Sequence, residues 1–236
     1  MKIAICYWGL TRSTRQVYSS HFKNIFNVLK EHNINYKIYM HTWKTKDNKQ
    51  NVWGKPIKKN IDYDEYKLLK PDVYKIDNQE DYIKTINFND YFYKNIYDII
   101  GHNENGEWLP KLLLNHLCAL ESQKRVTNMV KDEDIVFYVR PDVFIINKIP
   151  LEEILQFIKS YNNIIILPNF GHWEGYNDQF AIVNGTQKEL YGCRNKELIE
   201  FRKNNGRIVA EKYVKFIVKK YFIPKIIDFK FKIVRP

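Results

Sequence analysis

Arg140-Pro141-Asp142 interrupts an otherwise strand-like run, Tyr138-Val139 before it and Val143-Phe144-Ile145 after it, with a base and an acid two positions apart. A guanidinium is permanently charged and offers paired N–H donors that suit phosphate oxygens. A carboxylate accepts hydrogen bonds, holds a cation or takes a proton. Opposite charges at the end of a buried strand need partners, because burial without them is costly. The partner is either a ligand or the other charge, as an ion pair beside a proline-limited strand end.

A second anion-binding candidate is the turn Gly9-Leu10-Thr11-Arg12-Ser13-Thr14-Arg15. Gly9 permits close backbone approach, Ser13 or Thr14 is placed to cap the following helix, and Arg12 or Arg15 is placed to face phosphate. The turn has neither a GxGxxG nor a P-loop pattern, and a structural cap with solvated arginines is the plainer alternative. Asn177-Asp178-Gln179 offers a carboxylate between two amides, or an Asn-Asp turn leading into a strand. Just before it lies Gly171-His172-Trp173-Glu174-Gly175-Tyr176, with two aromatic rings and a second acid. The six histidines, His21, His32, His41, His102, His116 and His172, lack zinc-site spacing. Cys6, Cys118 and Cys193 form no CxxC pair and no sequence-defined catalytic dyad.

These residues need a scaffold that brings them to one edge. Lys2 to Tyr7 reads as a strand, and Thr14 to Glu31 as a helix with Val17, Phe22, Ile25, Phe26, Val28 and Leu29 as its apolar stripe. Tyr36 to His41 reads as a second strand. Such a βαβ opening predicts an α/β layer architecture with ligands near the carboxyl ends of parallel strands. Thr42 to Asn60 is polar, includes Trp53-Gly54 and Lys55-Pro56, and reads as an excursion. Val73 to Ile76 follows as a short strand. Gln79 to Ile100 has helical spacings interrupted at Asn87-Phe88-Asn89-Asp90, and Gly101 to Trp108 reads as a connection. A helix begins near Pro110 and runs through Leu112, Leu113, Leu117 and Leu120 toward Val130. Beyond it come a buried strand at Ile135 to Val139, a helix at Leu151 to Tyr161, and strands at Ile164 to Leu167 and Phe180 to Val183. A helix at about Val209 to Tyr221 precedes a basic, aromatic tail.

At 236 residues with 44% hydrophobic content, the chain is expected to form one globular domain. No apolar run reaches membrane-spanning length, and the opening segment lacks the features of a secretory signal. A cytoplasmic location, peripheral to a membrane if the tail engages one, is the expectation. Lysine and arginine number 38 against 27 acidic residues, a net charge of +11, which favours anionic ligands, nucleic acid or anionic lipid.

Gly9-Leu10-Thr11-Arg12-Ser13, His41-Thr42-Trp43, Tyr138 to Asp142 and Asn177-Asp178-Gln179-Phe180 occur in one order over roughly Lys2 to Val183. In that order the set resembles the nucleotide-sugar glycosyltransferases of GT-A-like fold, especially the branch found in large DNA viruses and bacterial surface-polysaccharide clusters. The resemblance implies a Rossmann-type α/β domain with a mostly parallel or mixed central sheet flanked by helices. Residues 1–130 would lie mainly on the donor-nucleotide side, residues 131–208 on the diphosphate, metal and acceptor side, and residues 209–236 would form the C-terminal helix and tail. It implies a nucleoside-diphosphate sugar as donor, a hydroxyl of a glycan or glycoconjugate as acceptor, and transfer with inversion.

By the same resemblance Gly9, Leu10, Thr11, Arg12, Arg15, His41, Arg140 and Asp142 contact the donor, Asp142 holds Mn2+ or Mg2+, and Asp178 is the base; for His41 a structural hydrogen-bonding role is the slightly favoured alternative. Glu174 is an alternative base, and Trp173 and Tyr176 either stack on sugar faces or pack in the loop. Asn115 and Ser122 would line the donor pocket from their helix, although their seven-residue spacing is equally ordinary helix geometry and that plainer reading is favoured. Glu211 would order the site or else pair with Lys212 or Lys215. Where the family carries Asp-x-Asp, this chain has Arg140-Pro141-Asp142. The missing first acid leaves metal use open and offers Arg140 as the alternative neutralising charge.

Two other functions fit less of the sequence. Glycoside hydrolysis needs two carboxylates in opposed roles, and the sequence assigns no such pair. The stretch from Lys212 to Tyr221, continued by Lys225, Lys230, Lys232 and Arg235, suits anionic lipid or a nucleic-acid backbone, or packs its apolar face on the domain with its lysines in solvent. Nucleic acid is not the favoured partner, and the sequence gives no oligomeric state.

Overall fold

Strand β1, Lys2–Gly9, sends Ile3, Ile5 and Tyr7 to one apolar layer and Ala4, Cys6 and Trp8 to the other. Both faces are buried, as the unbroken apolar run requires of a central strand. The computed structural model describes residues 1–45, 51–52, 55–56, 61–92, 108–205 and 207–235. Readings that fall on Trp53-Gly54, on Tyr93 to Glu107 and on His102 lie outside the described residues.

Besides a short antiparallel pairing of Asn51–Val52 with Lys55–Pro56, the strands that follow are β2, Asn35–Lys44; β3, Val73–Asn78; β4, Ile135–Val139; β5, Val143–Ile145; β6, Ile164–Pro168; β7, Phe180–Asn184; β8, Ile223–Ile227; and β9, Phe231–Ile233. The seven-stranded sheet has the order β8-β6-β7-β4-β1-β2-β3. Only β7 runs against the others, pairing antiparallel with both β4 and β6. The expected α/β architecture with a mixed central sheet is the one observed.

Among the helices are α1, Thr14–His21; α2, Asn27–Glu31; α3, Gln79–Ile83; α4, Trp108–Thr127; α5, Leu151–Ser160; α6, Lys188–Gly192; α7, Leu198–Asn205; and α8, Ala210–Tyr221. A π turn, Phe22–Phe26, joins α1 to α2. Its wider hydrogen-bond ring re-phases the helix, so Val17, Ile25, Phe26, Val28 and Leu29 are all buried despite mixed spacing. These helices cover one face of the sheet. On the other face, α4 brings Leu113, Leu117 and Leu120, and α8 brings Tyr213, Val214, Ile217 and Val218.

The sequence reading of the C-terminal segment as a basic tail is corrected. Beyond α8 the chain adds β8 to the sheet edge beside β6, then pairs β9 with β5 in a second small sheet. Ile227, Phe229 and Phe231 are buried. Lys225 lies over the Tyr161 ring at 4.0 Å, and Lys232 lies over Phe144 at 5.6 Å. Among the described residues, no helix is long and apolar enough to cross a membrane.

Candidate active site

The carboxyl ends of β1, β2, β3 and β4 meet at one edge of the sheet, because these strands are parallel neighbours. At the end of β1, Gly9 has φ +94°, a conformation that L side chains rarely adopt. Open space lies where a Cβ would stand. Its N–H donates to Ser122 Oγ of α4 at 2.8 Å. Leu10 is half-buried and Thr11 buried beyond it. Ser13 occupies the N-cap position of α1 without a side-chain cap bond. Thr14 Oγ1 instead donates to the carbonyls of Thr11, at 3.2 Å, and Pro141, at 3.4 Å, tying the first turn to the Arg140 segment.

Asp142 lies between two arginines and is only 1% exposed. Arg140 donates Nε to Oδ1 at 2.8 Å and Nη2 to Oδ2 at 2.7 Å. Arg12 donates Nε and Nη2 to Oδ2 at 3.2 and 3.1 Å. Burial would raise the Asp142 pKa, but the charges of Arg140 and Arg12 prevail and bring it to about 2. Burial works against both guanidiniums as well. Arg140 nevertheless ends above its ordinary value through Asp142, while Arg12 ends below its own. The anticipated Arg140–Asp142 ion pair therefore exists, with Arg12 as a third member that the sequence did not connect to it. The arginine side chains remain 13% and 25% exposed, so the cluster presents cations to solvent and keeps its carboxylate inside.

This donor set does not fit the divalent cation the resemblance implies. Both Asp142 oxygens already accept guanidinium N–H groups, and the nearest charges are cations. Among the described residues, no three His, Cys, Asp or Glu side chains gather around a common centre. Hard cations take several oxygen ligands, whereas this geometry suits an anion.

Arg15 and His41 have other partners. The Arg15 guanidinium reaches Asp62 at 3.0 Å and Glu65 at 3.7 Å, and is not brought to Asp142. His41 is buried, with Nδ1 2.7 Å from Ser122 Oγ and Nε2 3.2 Å from Asp77 Oδ2. Asp77 also pairs with Arg125. Burial lowers the His41 pKa to about 4 against the pull of Asp77, so the ring is neutral at neutral pH. Ser122, His41 and Asp77 have the residue types of a hydrolytic triad, but Ser122 is 0% exposed and is occupied by Gly9. They brace the first turn from behind.

Asp178 lies beside the arginine cluster through strand register. Val139 pairs with Phe180, and the Arg140 N–H donates to the Gln179 carbonyl at 3.3 Å. Asn177 fixes the turn: its Oδ1 accepts from Gln179 N–H at 2.9 Å and Phe180 N–H at 3.1 Å, and its Nδ2 donates to the Phe170 carbonyl at 3.2 Å. Among the described residues, the half-buried Asp178 carboxylate takes no hydrogen bond or ion pair. Its field nevertheless acts on Arg140, His116 and Glu211. Burial and Asp178 raise the Glu211 pKa, while burial lowers His116 to about 4.

The other acid of this loop, Glu174, pairs with Lys212, and Trp173 is exposed. Tyr176 packs against the core and donates its N–H to the Glu211 carbonyl at 3.0 Å. Asn115 is exposed on α4.

The sequence matches no protein-family profile and no curated protein. It is similar in fold to several solved structures. One is the apo form of the glycosyltransferase GlyE of Streptococcus pneumoniae TIGR4, at 11% identity over 94% of this chain, with a TM-score of 0.42. The chain spans 44% of that protein. Another is the galactosyltransferase LgtC in complex with donor and acceptor sugar analogs, at 12% identity over 96% of this chain and 73% of that one, TM-score 0.43. A third is apo mouse xyloside xylosyltransferase 1, at 8% identity over 97% of this chain and 86% of that one, TM-score 0.42. Values this low do not assign an activity.

Proposed function

We propose that this protein transfers a sugar from a nucleoside-diphosphate donor to a hydroxyl of a glycan or glycoconjugate, with inversion. One juxtaposition carries the reading: two guanidiniums anchored on buried Asp142 lie one strand away from the carboxylate of Asp178, which has no partner among the described residues. The sequence resemblance to GT-A-like transferases, including their viral and surface-polysaccharide branch, independently names the same segments.

In this reaction the bond from the anomeric carbon to the diphosphate oxygen breaks, and its electron pair leaves with the diphosphate. Arg12 and Arg140 oppose the charge that develops there, and Asp142 holds them in place before the donor arrives. The acceptor oxygen forms the new bond from the opposite face as its proton passes to Asp178. Gly9, Leu10 and Thr11 line the approach to the donor, while His41 and Arg15 act on that turn from outside the contact. A bound cation would supply further charge neutralisation, but the described residues assemble no site for one, and Asp142 is assigned to the arginines.

Association with nucleic acid or membrane without catalysis is not favoured, because Tyr213, Val214, Ile217 and Val218 of α8, and Ile227, Phe229 and Phe231 beyond it, are buried in the domain. The test is a binding panel of UDP-, GDP- and dTDP-sugars with and without Mn2+ or Mg2+, followed by transfer assays with glycan acceptors. Specific binding of one donor without added metal is expected; no binding across the panel would refute the assignment.

A further inference from the structure

Phe229 and Phe231 are buried against Phe180, at 4.7 and 6.1 Å between ring centroids, and Phe170 packs on Phe231 at 4.7 Å. These rings seat β9 against β5, the strand that begins immediately after Asp142. Ile233 lies opposite Val143, and the Val234 N–H donates to the Asp142 carbonyl oxygen at 2.8 Å. The next residue, Arg235, is thereby delivered to the backbone that carries the arginine cluster. It is exposed, and its pKa is lowered by partial burial and by repulsion from Arg12 and Arg140, with Asp142 opposing.

Three guanidiniums thus share the field of one carboxylate, and that carboxylate already accepts four N–H bonds from two of them. Guanidiniums that converge from separate elements on one stretch of backbone suit an anion with several acceptor oxygens. We propose that Arg235 is the third guanidinium of a phosphate-binding cluster with Arg12 and Arg140, engaging the diphosphate of the donor and of the released product. The identity of the anion rests on the donor reading above; the cluster itself rests on the β5–β9 pairing. Two phosphoryl groups present oxygens in several directions, which forks from two strands and a turn meet better than any one side chain. Because Arg235 follows directly on β9, whose Phe231 packs against Phe170 and Phe180 on either side of the Asp178 loop, the same element supports both halves of the site.

The test is calorimetric titration of inorganic pyrophosphate, then UDP, GDP and dTDP, into wild type, Arg235→Ala, Arg235→Lys and Lys232→Ala. Lys232 is an exposed cation on the same strand and serves as the control for general charge. Expected is pyrophosphate binding by wild type, weakened about tenfold in Arg235→Ala, partly regained in Arg235→Lys and unchanged in Lys232→Ala, with equal melting temperatures. The proposal falls if wild type does not bind pyrophosphate, if Arg235→Ala binds it as wild type does, or if Lys232→Ala loses as much. Arg235-dependent pyrophosphate binding with no tighter binding of any nucleoside diphosphate would uphold the cluster and overturn the nucleotide-sugar reading. Nucleoside-diphosphate binding insensitive to Arg235→Ala would do the reverse.

Discussion

Arg12 and Asp142, separated by 130 positions in sequence, meet through two hydrogen bonds to one oxygen, from Nε at 3.2 Å and Nη2 at 3.1 Å. The contact exists because β1 and β4 are parallel neighbours, which puts the turn after one beside the turn after the other. Asp142 is thus the fixed point on which both first-turn and strand-end cations are oriented.

This pairing gives stability a defined pH dependence. The folded-state pKa of Asp142, about 2, lies below the ordinary aspartate value. Its contribution is therefore fully present above about pH 4 and is lost as pH falls toward about 2. Asp142→Asn should destabilise the fold by on the order of 3 kcal/mol at pH 7, since it leaves two guanidiniums without their carboxylate. It should also flatten the acid limb of stability. Urea unfolding followed from pH 7 down to pH 2 measures both, and an unchanged acid slope in the variant would remove Asp142 from the ion pair.

A carboxylate that takes no partner among the described residues is dispensable for folding and available for a proton. Asp178→Asn keeps the shape and hydrogen-bonds of the turn, which Asn177 supplies, so donor affinity should stay within about twofold. The transfer rate should fall by about a hundredfold or more, the usual contribution of a positioned base. Single-turnover rates measured beside donor Kd values separate the two effects. Wild-type turnover in the variant would eliminate Asp178 as the base.

Ser122 and His41 lend themselves to a stability test with a functional readout. Ser122 Oγ meets the Gly9 N–H, His41 Nδ1 and the His41 carbonyl, at 2.8, 2.7 and 3.1 Å. Ser122→Ala leaves the half-buried Gly9 N–H and the buried His41 ring nitrogen without their partner, a loss of about 2 kcal/mol. Because Gly9 opens the first turn, donor binding should weaken several-fold as well. Thermal unfolding and donor titration of the same preparation check this. Stability unchanged to within about 0.5 kcal/mol would show that the brace carries no load.

The central strands were legible because their apolar runs have a simple physical reading: β1, β4, β6 and β7 are buried on both faces. The Arg140–Asp142 pair was legible for the related reason that charges at a buried strand end must be met. Arg12 and Arg15 were not separable, since one turn of sequence sends the first to Asp142 and the second to Asp62 and Glu65, which lie in a segment without a strong pattern. The role of Arg235 was hidden by composition. Phe229 and Phe231 alternate with Lys230 and Lys232 at a strand period, but the lysines made the segment read as a tail. For His41 the sequence left donor contact and a structural hydrogen-bonding role both open, and only α4, packed from the other layer, supplies the Ser122 partner at 2.7 Å.

Trp173 makes the last test independent of the diphosphate. It is 78% exposed with φ +39°, in a loop held at Gly171, which has φ +68°, and at Asn177. Between them Gly175 lies so close to the Glu211 backbone that a Cβ would stand 2.0 Å from its carbonyl oxygen. A large ring that adds little to the core and sits in a costly backbone conformation is well placed for contact with a ligand. Because the same loop runs on to Asp178, the proposed transfer reaction makes the apolar face of an acceptor sugar the expected partner. Trp173→Ala should leave stability within about 0.5 kcal/mol and donor KM unchanged, while raising acceptor KM about tenfold. Steady-state kinetics with each substrate varied in turn gives the split; an unaltered acceptor KM, or an equal rise for the donor, would take Trp173 out of the acceptor site.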